Sequence, residues 1–246
     1  MMARRTATAA LPESGPGNGP ETGDAGRKVV RSRGRPRAGS QEADTSVGRD
    51  ALIDATIALL KDMPPAAITP VVVARAMGVH PSLIRYYFKN RATLLVAVAE
   101  KITQQFAQDF DLYTQGTGSP DSRLAGRIRT MVDLNATYPF FHQLFATEIV
   151  GSSDPAARAI ITQLTNRGIG AYGSILRAGL GDGSLRAADP GLLYAAVVGM
   201  SEFFVSAHRQ MEIAQGMPID EPELREAYKS FICDLVLNGL RNGGEG

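Results

Sequence analysis

TPVVVARAMGVHPSLIRYYFKNR, residues 69–91, decides the reading of this chain. Thr69 offers a hydroxyl that caps a helix N-terminus, and Pro70 stands at the first helical position, where its missing N–H costs nothing. Gly78 closes that short helix, because glycine tolerates the left-handed backbone needed there. Pro81 opens a second short helix. Phe88-Lys89-Asn90 ends it, and Asn90 caps the helix that follows. Val73, Ala74, Met77, Val79, Ile84 and Phe88 fall where such a pair packs on a support helix, and the small Ala74 lets the two cross closely. The other face of the second helix carries His80, Pro81, Ser82, Leu83, Arg85, Tyr86 and Tyr87. Donors and aromatics at the start of a short helix can reach base edges in a major groove.

Outward from this pair the pattern stays helical. Leu52, Ile53, Thr56, Leu59 and Leu60 predict a helix over 49–62, stopped by Met63-Pro64-Pro65. The helix capped by Asn90 is expected to run to about Leu112. Further helices are expected near 121–136, 138–150, 154–179, 189–209 and 221–241, with breaks at 116–120, 151–154, 179–183 and 216–222. No stretch alternates like a strand. The fold class is therefore all-α: an N-terminal three-helix helix-turn-helix DNA-binding domain, then a C-terminal helical bundle. The expected divisions are a disordered basic arm over 1–47, the DNA-binding domain over 48–101 and a helical domain over 102–246, whose task the resemblance below implies.

The net charge of +1 alone does not suggest nucleic acid, but its distribution does. Residues 1–47 hold eight Lys and Arg against five Asp and Glu, and 48–101 hold seven against four. Residues 102–246 hold eleven against sixteen. A basic front on an acidic body suits a polyanion-binding head whose body has another task. Cys233 is the only cysteine, which excludes an intrachain disulfide and a CxxC zinc site. No apolar run reaches the ~18 residues of a membrane span, and no signal-peptide core precedes the domain. The expectation is a soluble cytoplasmic protein. G-x-S-x-G, P-loop and H-E-x-x-H motifs are absent, and no enzyme, metal or cofactor is expected. Gly168, Gly170 and Gly173 have G-x-G-x-x-G spacing but follow no strand, the context a dinucleotide site requires.

Residues 49–101 resemble the N-terminal domain of the tetracycline-repressor (TetR) family. The resemblance lies in the Thr69 cap, Val73-Ala74, Gly78-Val79, the aromatic end Tyr86-Tyr87-Phe88, and Arg91 followed by Leu94-Leu95. It implies that His80, Ser82, Arg85 and Tyr86 face the groove beside Pro81. It also implies that Thr69, Tyr87 and Arg91, with Lys89, bind phosphates. His80 stands where the family has a small hydroxyl residue and Arg85 where it has Tyr, so the operator sequence is left open; Arg91 for the usual Lys conserves the charge. Arg85 is open between pairing with guanine and touching phosphate, and His80 between a base contact and a helix cap. Tyr86 and Tyr87 are open between groove and core. A cation at the N-terminus of a helix, as at Arg91, opposes the helix dipole, which a phosphate nearby would relieve.

Arg33-Gly34-Arg35-Pro36-Arg37 resembles the minor-groove core of an AT-hook. An extended Arg-rich segment fits a narrow A·T-rich groove. The alternative is a solvated tail.

The resemblance implies a C-terminal domain that dimerises and holds an effector. A dimer also follows from operator geometry, since two recognition helices on a two-fold axis read a palindrome one turn apart. One stripe is Leu192, Ala195, Ala196, Gly199 and Phe203; a second is Tyr228, Phe231, Ile232, Leu235 and Gly239. Both are open between dimer seam and intrachain core. Effector candidates are Phe106, Phe110, Tyr113, Asn135, Tyr138, Phe141, His142, Phe145, Asn166, Tyr172 and Phe204, since apolar walls with sparse polar groups suit a small molecule. The expected signal route is the helix over 91–112, tilted by the effector. Its expected partners are double-stranded DNA, a second copy of the chain and an unknown small-molecule effector. The function read from these features is a dimeric repressor released by that effector, the alternative being an effector-independent or architectural DNA-binding protein.

Overall fold

The computed structural model of the chain describes residues 47–216 and 222–242. Arg33, Arg35 and Arg37 lie outside them. Among the described residues there is no strand, and one isolated bridge joins Leu185 to Arg241. Helix α1 is Arg49–Asp62, followed by a 3-10 turn at Pro65–Ala67. Helices α2 (Pro70–Met77) and α3 (Pro81–Tyr87) form the expected pair. Then come α4 (Arg91–Gln105), α5 (Ala107–Gln115) and α6 (Pro120–Thr137). Helix α7 starts at Phe141–Gln143 and continues as a π turn over Leu144–Ile149. Helices α8 (Pro155–Asp182), α9 (Pro190–Ser206), α10 (His208–Gln215) and α11 (Pro222–Leu240) complete the body.

Local chemistry explains the starts. Thr69, Ser119, Asp154 and Asp189 each accept a backbone N–H from the first turn, and each is followed by proline at the first helical position. Gly78 ends α2 at φ +66°, where its own N–H donates back to Ala74 and Arg75. Asn90 and Thr93 make a reciprocal capping box at α4. Burial nevertheless anchors α4 more strongly than its cap. Leu94, Leu95, Val98 and Ile102 are fully buried, at about 2 kcal/mol per side chain against about 1 kcal/mol for a good cap.

Two apolar cores result. The first joins Leu52, Ile53, Val73, Ile84 and Phe88 to the α4 residues, and takes in Tyr138, Leu144, Ile149 and Ile160 from α7 and its flanks. The second joins Leu124, Ile128 and Val132 of α6 to Tyr172, Ile175, Val197, Ile232 and Leu237 from α8, α9 and α11.

Two expectations change. The helix from Asn90 does not run on to Leu112; it breaks at Phe106 (φ −98°, ψ 1°). Phe106 meets the Tyr138 ring edge-on at 6.4 Å, and the Tyr138 hydroxyl donates to Gln105 Oε1, so α4 ends against the C-terminal end of α6. The region expected as one helix over 189–209 is two, broken at Ala207. No helix among the described residues is long and apolar enough to cross a membrane.

Candidate nucleic-acid interface and effector cavity

Helix α3 turns a polar face outward. Ser82, Arg85, Tyr86 and Lys89 are exposed, while Ile84 and Phe88 on the opposite side are buried. Tyr86 is 80% exposed and rests edge-on against Tyr87 at 5.0 Å. Tyr87 is half-buried against the first core. His80 caps α3: Nδ1 accepts from the Ser82 N–H at 3.2 Å and lies 2.8 Å from its Oγ. Thr69 Oγ1 accepts from Val72 N–H at 3.2 Å, which leaves its hydroxyl proton to be directed elsewhere. Pro81 is half-buried at the start of the helix.

Arg91 is placed differently from the expectation of a phosphate contact. Its Nε donates to the Ile68 carbonyl at 2.6 Å and its Nη2 to the Pro65 carbonyl at 2.7 Å. Nη1 pairs with Glu148 at 2.5 Å. The guanidinium is turned back into its own chain, where two carbonyls and a carboxylate offset the helix dipole in place of a phosphate. Beside it, Asn90 Nδ2 donates to Asp154 at 2.7 Å. That bond and the Ala156 N–H hold the Asp154 carboxyl below its usual pKa.

A cavity of about 280 Å³ lies between α5, α6, α7, α8 and α9, with Thr103 of α4 at its edge. Phe110, Met131, Leu134, Phe141, Phe145 and Leu164 give it apolar walls. Tyr194 enters because Gly168 has no side chain; a Cβ there would meet the ring at 2.5 Å. The polar wall is built from Arg127, Arg167, Asp111 and Glu202. Arg167 Nη2 donates to both Asp111 oxygens, at 2.7 and 2.9 Å, where both side chains are about half exposed. Glu202 Oε2 lies 2.8 Å from His142 Nδ1. Arg127 is only 5% exposed, and burial pushes its pKa down.

Just over half of the chain, residues 117–244, matches the family model described as the tetracyclin repressor-like C-terminal domain. The chain belongs to the tetracycline-repressor family of transcriptional regulators. This regulator is 30% identical over 83 residues to the HTH-type transcriptional regulator BetI of Rhizobium meliloti, covering 34% of this chain but only 41% of that relative. It is 23% identical over 163 residues to the HTH-type transcriptional repressor NicS of Pseudomonas putida, covering 65% of this chain and 76% of that one. The crystal structure of AibR in complex with isovaleryl coenzyme A and operator DNA matches with TM-score 0.60 at 14% identity, over 76% of this chain and 96% of that one. At that identity the likeness shows the fold.

Of the effector candidates in this regulator, Phe110, Asn135, Phe141 and Phe145 line the cavity. Phe106 and Tyr138 pack together at the end of α4, and Tyr172 is fully buried beneath Arg127. His142 faces Glu202 rather than the cavity interior. The Tyr113 ring packs on Gly126 of α6. Asn166 lines a shallow hollow on the outer side of α8, and Phe204 stacks on Tyr228 at 3.8 Å near α10. The polar wall was missed. Its signal was present at Arg127, a cation inside the apolar run Leu124, Ile128 and Val132, because arginine is seldom buried without a purpose.

The first stripe faces outward: Leu192, Ala195, Ala196, Gly199 and Phe203 are all exposed. On α11, Phe231, Leu235 and Gly239 are exposed and Tyr228 is half-buried. Ile232 is a correction, since it is 1% exposed and belongs to the second core. It falls one residue off the exposed stripe, enough on a helix to turn it inward.

Proposed function

We propose that this regulator is a repressor that binds a palindromic operator as a homodimer and is released by a small molecule held in the α5–α9 cavity. The observation that carries the reading is an apolar cavity with its own polar wall, in the same chain as an exposed polar recognition face. In this reading residues 48–101 read DNA, and residues 102–246 hold the effector and the partner copy. Arg85, Tyr86, Ser82 and His80 face the major groove, with Pro81 fixing the start of their helix. The His80 Nδ1 cap favours a supporting role for that ring. Thr69, Tyr87 and Lys89 lie beside them for phosphate. Arg91 is assigned to structure. The arm with Arg33, Arg35 and Arg37 follows the minor groove. The protein works in the cytoplasm and has no catalytic role.

The printed names of the relatives support the regulatory reading: one is a repressor, and a structural neighbour was crystallised with both a ligand and operator DNA. The dimer is supported by the outward apolar stripes on α9 and α11, which a chain alone would leave in water.

Signal transfer in this reading runs through α7. Phe141 and Phe145 line the cavity, and Glu148, on the same π turn as Phe145, grips Arg91 at the start of α4. A ligand that favours one position of α7 biases the helix-turn-helix through this pair, to the extent that it binds the two states differently.

The test is a gel shift with DNA flanking the protein's own gene, repeated with a library of small metabolites. Specific binding that a metabolite reverses supports the reading. Binding that no ligand affects favours the effector-independent alternative.

A further inference from the structure

We propose that the cavity takes an organic monocarboxylate with a compact apolar body, its carboxylate held by Arg127. The inference rests on the effector reading above and names the chemistry of the ligand.

Among the described residues no carboxylate pairs directly with the buried Arg127 cation. Its Nη1 donates to the Phe110 carbonyl at 3.1 Å and to Thr114 Oγ1, and the neutral Tyr172 hydroxyl is its other polar neighbour. Its Nε meets no acceptor. The guanidinium lies 5.0 Å from the ring centres of both Phe110 and Tyr172, whose faces offset part of the cost. They do not neutralise it. Tyr172 supplies no anion either, since burial pushes its hydroxyl up to about 12. Arginine cannot shed its charge to relieve the burial. A desolvated charge without a partner is costly, and an incoming anion would remove that cost.

The other polar groups narrow the choice. Asp111 is already taken by Arg167, and Glu202 faces His142, so the acids are engaged while the buried cation is not. A dianion would meet Asp111 and Glu202 as well as Arg127, which favours a single negative charge. A quaternary ammonium would sit against Arg127 and Arg167. The remaining wall is apolar, with Met131, Leu134, Phe145, Leu164 and Val198, and the volume of about 280 Å³ limits the body to a small one. A planar carboxylate also matches the guanidinium fork.

The experiment is calorimetric titration of the full chain with octanoate, 1-octanol, octyltrimethylammonium and octanoyl-coenzyme A. Octanoate is expected to bind, with octanol roughly tenfold or more weaker and the ammonium weaker still. In Arg127→Met, which keeps an apolar stem in place, octanoate should lose its advantage over octanol. Thermal melting checks that this variant folds, and the comparison of probes on the wild-type chain stands without it. If octanol, the ammonium or the coenzyme A ester binds the wild type as tightly as octanoate, the carboxylate proposal is overturned while the cavity remains a ligand site. If none of the four binds, the effector reading of the cavity falls with it.

Discussion

Glu148 Oε2 accepts a hydrogen bond from Arg91 Nη1 at 2.5 Å, tying the π turn of α7 to the first residue of α4. The same guanidinium reaches back to the carbonyls of Pro65 and Ile68, just ahead of the helix-turn-helix. One side chain thus holds three segments together. Removing it takes the side-chain donor from the Ile68 carbonyl and the cation from Glu148, while the Pro65 carbonyl keeps the Ile68 N–H. Arg91→Ala should cost about 2 kcal/mol of stability, discounted because the side chain is about one-third exposed. Arg91→Lys should recover only part of this, since an ammonium cannot reproduce the fork. Urea denaturation measures both. Wild-type stability in Arg91→Ala would show these hydrogen bonds to be incidental.

A second link between the same regions depends on pH. The Asp154 carboxyl is held below its ordinary pKa, first by Asn90 and then by the Ala156 N–H. A depressed folded pKa stabilises above the unfolded value and is lost as the pH falls through the folded one. Wild type should therefore exceed Asp154→Asn in melting temperature near neutral pH. The gap should close only below about pH 4, the ordinary carboxylate range. A gap that stays constant down to pH 2 would mean that the charge has no part in it.

Much of the helix-turn-helix was legible because its signals are local. Thr69, Gly78, Pro81 and Asn90 each act on the backbone within a few residues, so caps and turns could be read directly. The break at Phe106 was not legible, because Tyr138, far along the chain, sets it. The inward turn of Arg91 was hidden for the same reason: Glu148 stands 57 residues away. The cavity wall needs residues from six helices, α4 to α9. Phe110, Asn135, Phe141 and Phe145 are aromatic or amide positions that suit a pocket, whereas nothing local in the sequence sets Asp111, Arg167 and Glu202 apart from other charges.

The outward stripes make a prediction about assembly. Phe203 and Phe231 are each 62% exposed, so charging them costs the single chain little. The double variant Phe203→Glu, Phe231→Glu should sediment as a monomer while the wild type sediments as a dimer. Its helical content should match that of the wild type. A dimer that survives both changes would place the seam elsewhere.

The basic arm is tested by salt. Removing residues 1–46 should weaken operator binding and reduce the slope of log affinity against log salt by about 0.9 for each phosphate that the arm had neutralised. An unchanged slope would make the arm a bystander.

The central claim is that the exposed face of α3 reads DNA. Fluorescence anisotropy with DNA flanking the protein's own gene, in excess non-specific competitor, tests it most directly. Arg85→Ala with Tyr86→Ala changes two exposed side chains and should leave the melting temperature unchanged. Wild type is expected to hold this DNA against competitor, and the double variant to lose about 2 kcal/mol or more of the discrimination. Equal binding of specific and competitor DNA by both proteins would contradict it.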